Sequence, residues 1–415
     1  MLTKFRFSIL CAFLICPFIE GMIDNRFVVP YLCHKPFLSY RDSWFHGVVQ
    51  PFAMTTRRSY DEFEDKRGLF EINGNYNQVD IDNALILSGR TTESLFRSDL
   101  RGLFQSLPWA MGGRLEIYGV ALQGYLALTD YFGLGASWAF MHVNSRLRLK
   151  RDTEVLGSLI VGAGDAREIF LTKEQMNKAL GLTPGIYITN TPSDGELYAR
   201  FAYVRDYICK LQHLDVALKL GVLVPTAKAR AINNPASFSV GGDKHWGLYG
   251  EFTGDFILKQ DLRAGFLINI SKRLKRTACH RMPVCSEPIN FGAVVGNAQV
   301  NPGITVGFSP YVTFECVRDG LGFRLAYTLV HHKNDQWSDR REVRDVPVNL
   351  TRVENLSEWS REYLTLGVLY DFAYDKQVRG STPVVSLTWD IPVSGIITKR
   401  AFKTHGVSFI IESDF

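Results

Sequence analysis

Residues 213–224 read HLDVALKLGVLV, and residues 246–273 read WGLYGEFTGDFILKQDLRAGFLINISKR. In the first run Leu214, Val216, Leu218, Leu220 and Val222 share one face, while Asp215, Ala217, Lys219 and Gly221 share the other. A period of two places successive side chains on opposite faces of a strand, whereas a helix would mix the two sets. The pattern repeats with Trp246, Leu248, Phe252, Phe256 and Leu258 set against Tyr249, Glu251, Thr253 and Asp255. It repeats again with Leu262, Ala264, Phe266, Ile268 and Ile270 set against Arg263, Asn269, Ser271 and Arg273. Only the polar link 259–261 separates the last two runs, while a long stretch rich in Pro, Gly, Asn and Lys separates the first two. One apolar face, one face carrying both signs of charge, and short turns alternating with long loops are the pattern of strands that cross a membrane as a closed barrel.

The rest of the chain extends this pattern. Strand-like segments are expected at 44–60, 113–128, 132–143, 196–207, 304–315, 321–329, 363–372, 383–391 and 404–415. With the three opening runs they make about twelve strands, an even number suited to a single-chain bacterial barrel. The expected fold is therefore all-β, a transmembrane antiparallel barrel of about twelve strands (12–14) whose long outer loops contain short helices. Insertions are expected at 61–111, 150–194 and 333–359, the first either a long outer loop or a segment folded into the barrel, with short helices near 81–88, 93–104 and 172–182. In the last of these Thr172 and Gln175 form a capping pattern and Gly181 a stop. Pro51 points to an edge or a bulge in the first strand.

Residues 1–21 carry Lys4 and Arg6 ahead of an apolar run from Phe7 to Ile19, the pattern of an export signal. Residues 22–43 read as a periplasmic lead-in and 44–415 as the barrel. The 415-residue chain has a formal charge of +5, which becomes +4 without Lys4, Arg6 and Glu20. That small excess, with no basic tract, gives no reason to expect a nucleic-acid partner. Aromatic residues make up 13%, in keeping with the aromatic girdles of a barrel. The longest uncharged run, 288–314, holds Pro288, Pro302 and Pro310 and cannot be a continuous membrane helix.

Three stretches carry a family resemblance. The phrase LALTDYFGLGASWAF, 126–140, resembles the periplasmic hairpins of Gram-negative outer-membrane barrels. GVLVPTAK, 221–228, resembles a strand-end signature of outer-membrane transporters of the phenol-degradation type, with Ala227 where that signature has Gly. The final strand, with Val407, Phe409, Ile411 and the terminal Phe415 on one face, resembles the C-terminal assembly signal of outer-membrane proteins. These resemblances imply residence in the cell outer membrane and contact there with lipid. They further imply recognition of the last strand by the barrel-assembly machinery, and a porin-like or transporter-like role in moving small solutes.

Charges on the expected inner face are mixed: Arg200, Lys219, Arg263, Arg273 and Arg324 against Glu196, Asp215, Glu251, Asp255, Glu315, Asp371 and Asp390. They either line a water-filled pore or cross-link a closed lumen, the latter suiting a structural or surface-binding barrel. As a lumen residue Lys219 should tolerate replacement, whereas Leu218 and Leu220 should not accept a charge. Catalysis finds no support. His142 and Ser145 point to opposite faces, as do the adjacent His331 and His332, and no glycine-rich phosphate loop joins a strand to a helix. No metal and no cofactor is expected. Cys279 and Cys285 share one outer loop and either form a disulfide or remain two thiols, and with Cys33, Cys209 and Cys316 they leave an odd total of five after export.

Overall fold

The structure is a computed structural model describing residues 25–27, 44–95, 109–151, 172–207, 211–259, 262–318, 320–372 and 383–414. The expected export signal, most of the lead-in, Cys33, Cys209, the helix expected near 93–104 beyond residue 95, and Phe415 lie outside the described residues. So do the side chains of Glu315 and Cys316.

In chain order the strands begin with β1 (Phe45–Thr56), β2 (Arg58–Tyr60), β3 (Lys66–Gly68), β4 (Trp109–Ala127), β5 (Phe132–Arg151) and β6 (Ile186–Pro192). They continue with β7 (Gly195–Asp206), β8 (His213–Val224), β9 (Gly247–Lys259), β10 (Leu262–Arg273), β11 (Arg276–Met282) and β12 (Val294–Asn301). The last six are β13 (Ile304–Arg318), β14 (Leu321–His332), β15 (Gln336–Asp339), β16 (Trp359–Asp371), β17 (Val384–Val393) and β18 (His405–Asp414). Twelve of these form one antiparallel ring, running β1, β4, β5, β7, β8, β9, β10, β13, β14, β16, β17, β18 and back to β1. Phe45 lies opposite Leu126, close to the turn between β4 and β5, which fixes that end of the barrel as the short-turn end. All the long insertions leave from the other end.

The two faces separate as the alternation requires. In β8, Leu218 is 41% and Leu220 50% exposed, whereas Asp215 is 1% and Lys219 4% exposed. Exposed Phe252, Ile270, Phe308, Phe323, Leu325, Leu366, Leu387, Trp389 and Phe409 extend an apolar belt around the outside. On the inside, tyrosine rings fill space left by glycines on neighbouring strands. Tyr198 lies opposite Gly135, Tyr249 opposite Gly221 and Tyr311 opposite Gly265. A Cβ at Gly221 would sit 2.3 Å from the Tyr249 ring, so no larger residue fits that register.

Several details differ from expectation. Pro51 sits within a strand paired on both sides rather than at an edge. Its ladder to β18 passes from Val49 opposite Ile411 to Phe52 opposite Ser408, skipping Gln50 and Pro51, and proline has no N–H to donate there. Strand β5 runs past Val143 to Arg151, pairing with β7 over its first half and with β6 over its second. The expected loops after β10 and β14 contain a three-stranded sheet, β11, β12 and β15, and the α-helix at Leu350–Ser357. The helix α1, Gln78–Leu87, starts three residues before its expected position because Asn77 caps it through Val79 N–H. The helix α2 covers 172–179 and stops before Gly181, whose φ is +67°. We call Leu350–Ser357 α3.

The described residues 61–95 of the 61–111 insertion pack against the inside of the barrel. Leu69, Phe70, Ile72, Ile81, Ala84 and Leu85 are fully buried or nearly so, packed on the inward-facing Met111, Leu115 and Ile117 of β4. Phe70 N–H donates to Met111 O at 2.9 Å, and Met111 N–H donates to the Glu71 carboxylate at 3.1 Å. The contact needs Gly113, whose φ is +155° and whose added Cβ would lie 2.9 Å from the Phe70 ring. The lead-in is also displaced from expectation. Asn25 donates to Ser239 O at 3.0 Å, and the Phe27 ring lies 5.1 Å from Phe238 and 5.0 Å from Phe402. Its described residues therefore sit among the long loops, not beyond the short-turn end.

The lipid-facing assignment predicts a sharp asymmetry. Leu218→Arg should destabilise the inserted barrel by roughly 2 to 4 kcal/mol, the cost of an arginine near the bilayer midplane. Denaturant titration of protein folded into lipid vesicles measures it, and a loss well under 1 kcal/mol would contradict the assignment.

Candidate functional site

The inner wall has two halves of different chemistry. Strands β1, β4 and β5 contribute Phe52, Met54, Met111, Leu115, Ile117, Met141 and Val143, which share one buried cluster with the inserted segment, α2 and the 225–246 loop. The opposite half, from β7 around to β17, contributes charge. Sequence alternation places Glu196, Arg200, Asp215, Lys219, Glu251, Asp255, Arg273 and Asp390 inward, and each is at most 8% exposed. Arg263, Arg324 and Asp371 are partly buried.

These groups are cross-linked. The Arg200 guanidinium donates to both oxygens of Asp215 at 2.9 and 3.0 Å. Lys219 meets Glu251 at 2.8 Å and also lies 5.1 Å over the Tyr198 ring. Tyr311 donates to Asp255, and the Arg324 guanidinium covers the Tyr311 ring at 4.5 Å. Thr365 donates to Asp390 at 2.6 Å. An ion taken out of water costs several kcal/mol unless it is paired and hydrogen-bonded, and pairing across neighbouring strands meets that requirement here. Of the two arrangements left open by the sequence, the described residues adopt the cross-linked one at this level.

Nearer the long-loop end, Arg273 pairs with Asp194 at 2.6 Å. Asp194 lies in the break between β6 and β7, is fully buried, and also accepts from Ala227 N–H at 3.0 Å and Gly242 N–H at 2.7 Å. It therefore ties the 225–246 loop to the wall. The alternation did not reveal it, because it lies between two strands; the turn residues Ser193 and Gly195 around it were the available signal.

Above this layer the loops enclose a chamber of about 420 Å³. Arg230, Arg273, Arg276 and Arg281, with Arg26 of the lead-in, reach its wall, as do His245, His280 and His332; Asp243 and Asp335 are the carboxylates there. Phe27, Phe70, Phe238, Trp337, Trp359 and Phe402 supply apolar surface. The residues Arg276, Ala278 and His280 share the inward face of β11, while Lys275, Thr277 and Cys279 are exposed on the other. Burial, reinforced by Arg230, pushes the Arg26 guanidinium down to about 10. Burial pushes the His280 imidazole down to about 4, with Arg230, His245 and Arg276 acting in the same direction. Only Arg273 of the five arginines was foreseen; Arg276 and Arg281 lie in the short strand β11, and Arg26 and Arg230 in irregular segments. Cys279 and Cys285 are separate thiols; the backbone at Cys285 is held by the Glu287 carboxylate at 2.7 Å.

A closed ring of twelve antiparallel strands, apolar outside and charged inside, is a membrane-spanning β-barrel of the outer-membrane type. No helix among the described residues is long and apolar enough to cross a membrane. No protein-family profile matches the chain, and no curated protein does. Among solved structures, an outer membrane channel from Pseudomonas putida F1 is similar at 10% identity and TM-score 0.47, covering 90% of this chain and 96% of that one. A FadL homologue from Pseudomonas aeruginosa aligns at 11% identity and TM-score 0.30, covering 90% of each chain. The transport unit of the autotransporter AIDA-I from Escherichia coli aligns at 5% identity and TM-score 0.39, covering 93% of this chain and 94% of that one.

The buried pair revises one expectation. Lys219 was expected to tolerate change, but its removal strands Glu251 in a dry layer. Lys219→Met alone should cost about 3 to 5 kcal/mol, and the double change with Glu251→Leu should restore most of it. Denaturant midpoints of the single and double variants check this; additive losses would mean that the two side chains are not coupled.

Proposed function

We propose that the protein is a passive outer-membrane channel that moves small polar or amphipathic solutes, with the chamber as the place where a solute first rests. The chamber carries this reading. A barrel with a purely mechanical role has no need to hold several arginines around unfilled space, because buried charge without full compensation is costly. The chamber lies within the usual size range of small-ligand sites. Beneath it the Arg200–Asp215 and Lys219–Glu251 pairs form a buried ionic layer on the wall along which a solute would pass. The outward Val407, Phe409 and Ile411 suit recognition of β18 by the assembly machinery, and the belt suits lipid.

A second reading is favoured by the tightness of that ionic layer: a plugged barrel whose insertions bind another protein or a host surface. Protein reconstituted in planar bilayers separates the two. Discrete conductance steps are expected of the channel; a folded barrel that stays silent over repeated insertions would favour the plugged, surface-binding form.

A further inference from the structure

The chamber's arginines are held in an unusual way. Arg26 donates to Leu356 O at 3.1 Å and to the Asn73 side-chain oxygen at 3.2 Å. Arg230 donates to the Asn290 side-chain oxygen, and Arg276 donates to Asp243 O at 2.9 Å, a backbone carbonyl. Arg281 donates to Ile232 O, Gly292 O, Leu180 O and the Asn233 side-chain oxygen, at 2.8 to 3.2 Å. Each of these acceptors is neutral. They fix the position of a guanidinium without cancelling its charge.

The carboxylates do not make up the difference. Asp194 serves Arg273. Asp335 accepts from Gly303 N–H at 2.8 Å and meets His332 at 3.0 Å, and Asp243 accepts from Arg230 N–H at 3.0 Å. Three carboxylates thus stand against five guanidinium groups, leaving two positive charges at an enclosed wall that also presents aromatic rings. A guanidinium already oriented by neutral acceptors loses little freedom when an oxyanion arrives, and its planar fork matches a carboxylate with two parallel hydrogen bonds.

We propose that the chamber is a binding site for an amphipathic organic anion, a carboxylate on an apolar, ring-sized body. Its charge is met by Arg230 and Arg276 and its body lies against Phe238, Trp337 and Trp359. The inference rests on the channel reading for its physiological role, since it names the class of solute that the channel takes up, but the binding itself does not need conduction.

The test uses the detergent-purified full chain and two probes of one shape, 1-naphthoate and the neutral 1-naphthamide, titrated by calorimetry. One-site binding of naphthoate is expected, with naphthamide at least about tenfold weaker, the worth of one charge-assisted hydrogen bond. In the double variant Arg230→Gln with Arg276→Gln, naphthoate affinity should fall by about tenfold or more while naphthamide is unchanged, and the corresponding double lysine variant, which keeps the charge but not the planar fork, should fall between the two. Equal binding of the two probes, binding of neither, or naphthoate affinity surviving loss of both charges would overturn the assignment. The native-protein comparison decides this even if the double variant does not fold. A barrel that conducts yet does not discriminate between the probes keeps the channel reading and loses the anion site; a silent barrel that binds naphthoate does the reverse.

Discussion

The ladder between β1 and β18, with its continuation through β4 to β5, is the interaction on which everything else depends. Inside a bilayer there is no water to satisfy an unpaired N–H or C=O, and each such group costs several kcal/mol. A sheet of twelve strands left open at one seam would expose a full row of them. Closing the ring removes that cost and at the same time fixes the two faces of every strand, because the pleat leaves each side chain only lipid or lumen. The exposed Leu218 and Leu220 beside the buried Lys219 are the local result.

Closure also creates an interior that must be filled. On the charged half, neighbouring strands supply opposite charges within reach, and tyrosines lie on glycines to occupy the remaining space. On the apolar half, Met111, Leu115 and Ile117 have no lipid to meet, so the chain covers them with its own segment around Leu69 to Leu85. Between the ionic layer and the loop sheet the described residues line the chamber, and there the wall is basic. The same physical need for compensation that pairs Lys219 with Glu251 is what an organic anion would supply at the chamber's arginines.

The barrel was readable because its strands obey a strict period of two over ten or more residues, as 213–224 and 262–273 do. All twelve barrel strands were located that way, with errors only at their ends, such as the extension of β5 past Val143. Pairing was less visible: that Lys219 meets Glu251 depends on the register between β8 and β9, which no single strand encodes. The chamber was not visible at all. Arg26, Arg230, Arg276 and Arg281 sit in short or irregular segments whose position is set by contacts with Asn73, Asn290, Asp243 and Gly292, far apart in sequence. The inserted segment was left open as loop or filling, because its apolar residues follow neither period clearly; Leu69, Phe70 and Ile72 are placed by hydrogen bonds to β4.

The central claim is that the segment after β3 belongs to the inside of the barrel and seals its apolar wall. Backbone hydrogen exchange of the folded protein tests it most directly, at Phe70, whose N–H donates to Met111 O, and through α1. The account predicts that the Phe70 amide and the central amides of α1 exchange as slowly as those of β4 beneath them. Exchange at the rate of an open surface loop, with β4 still protected, would contradict it.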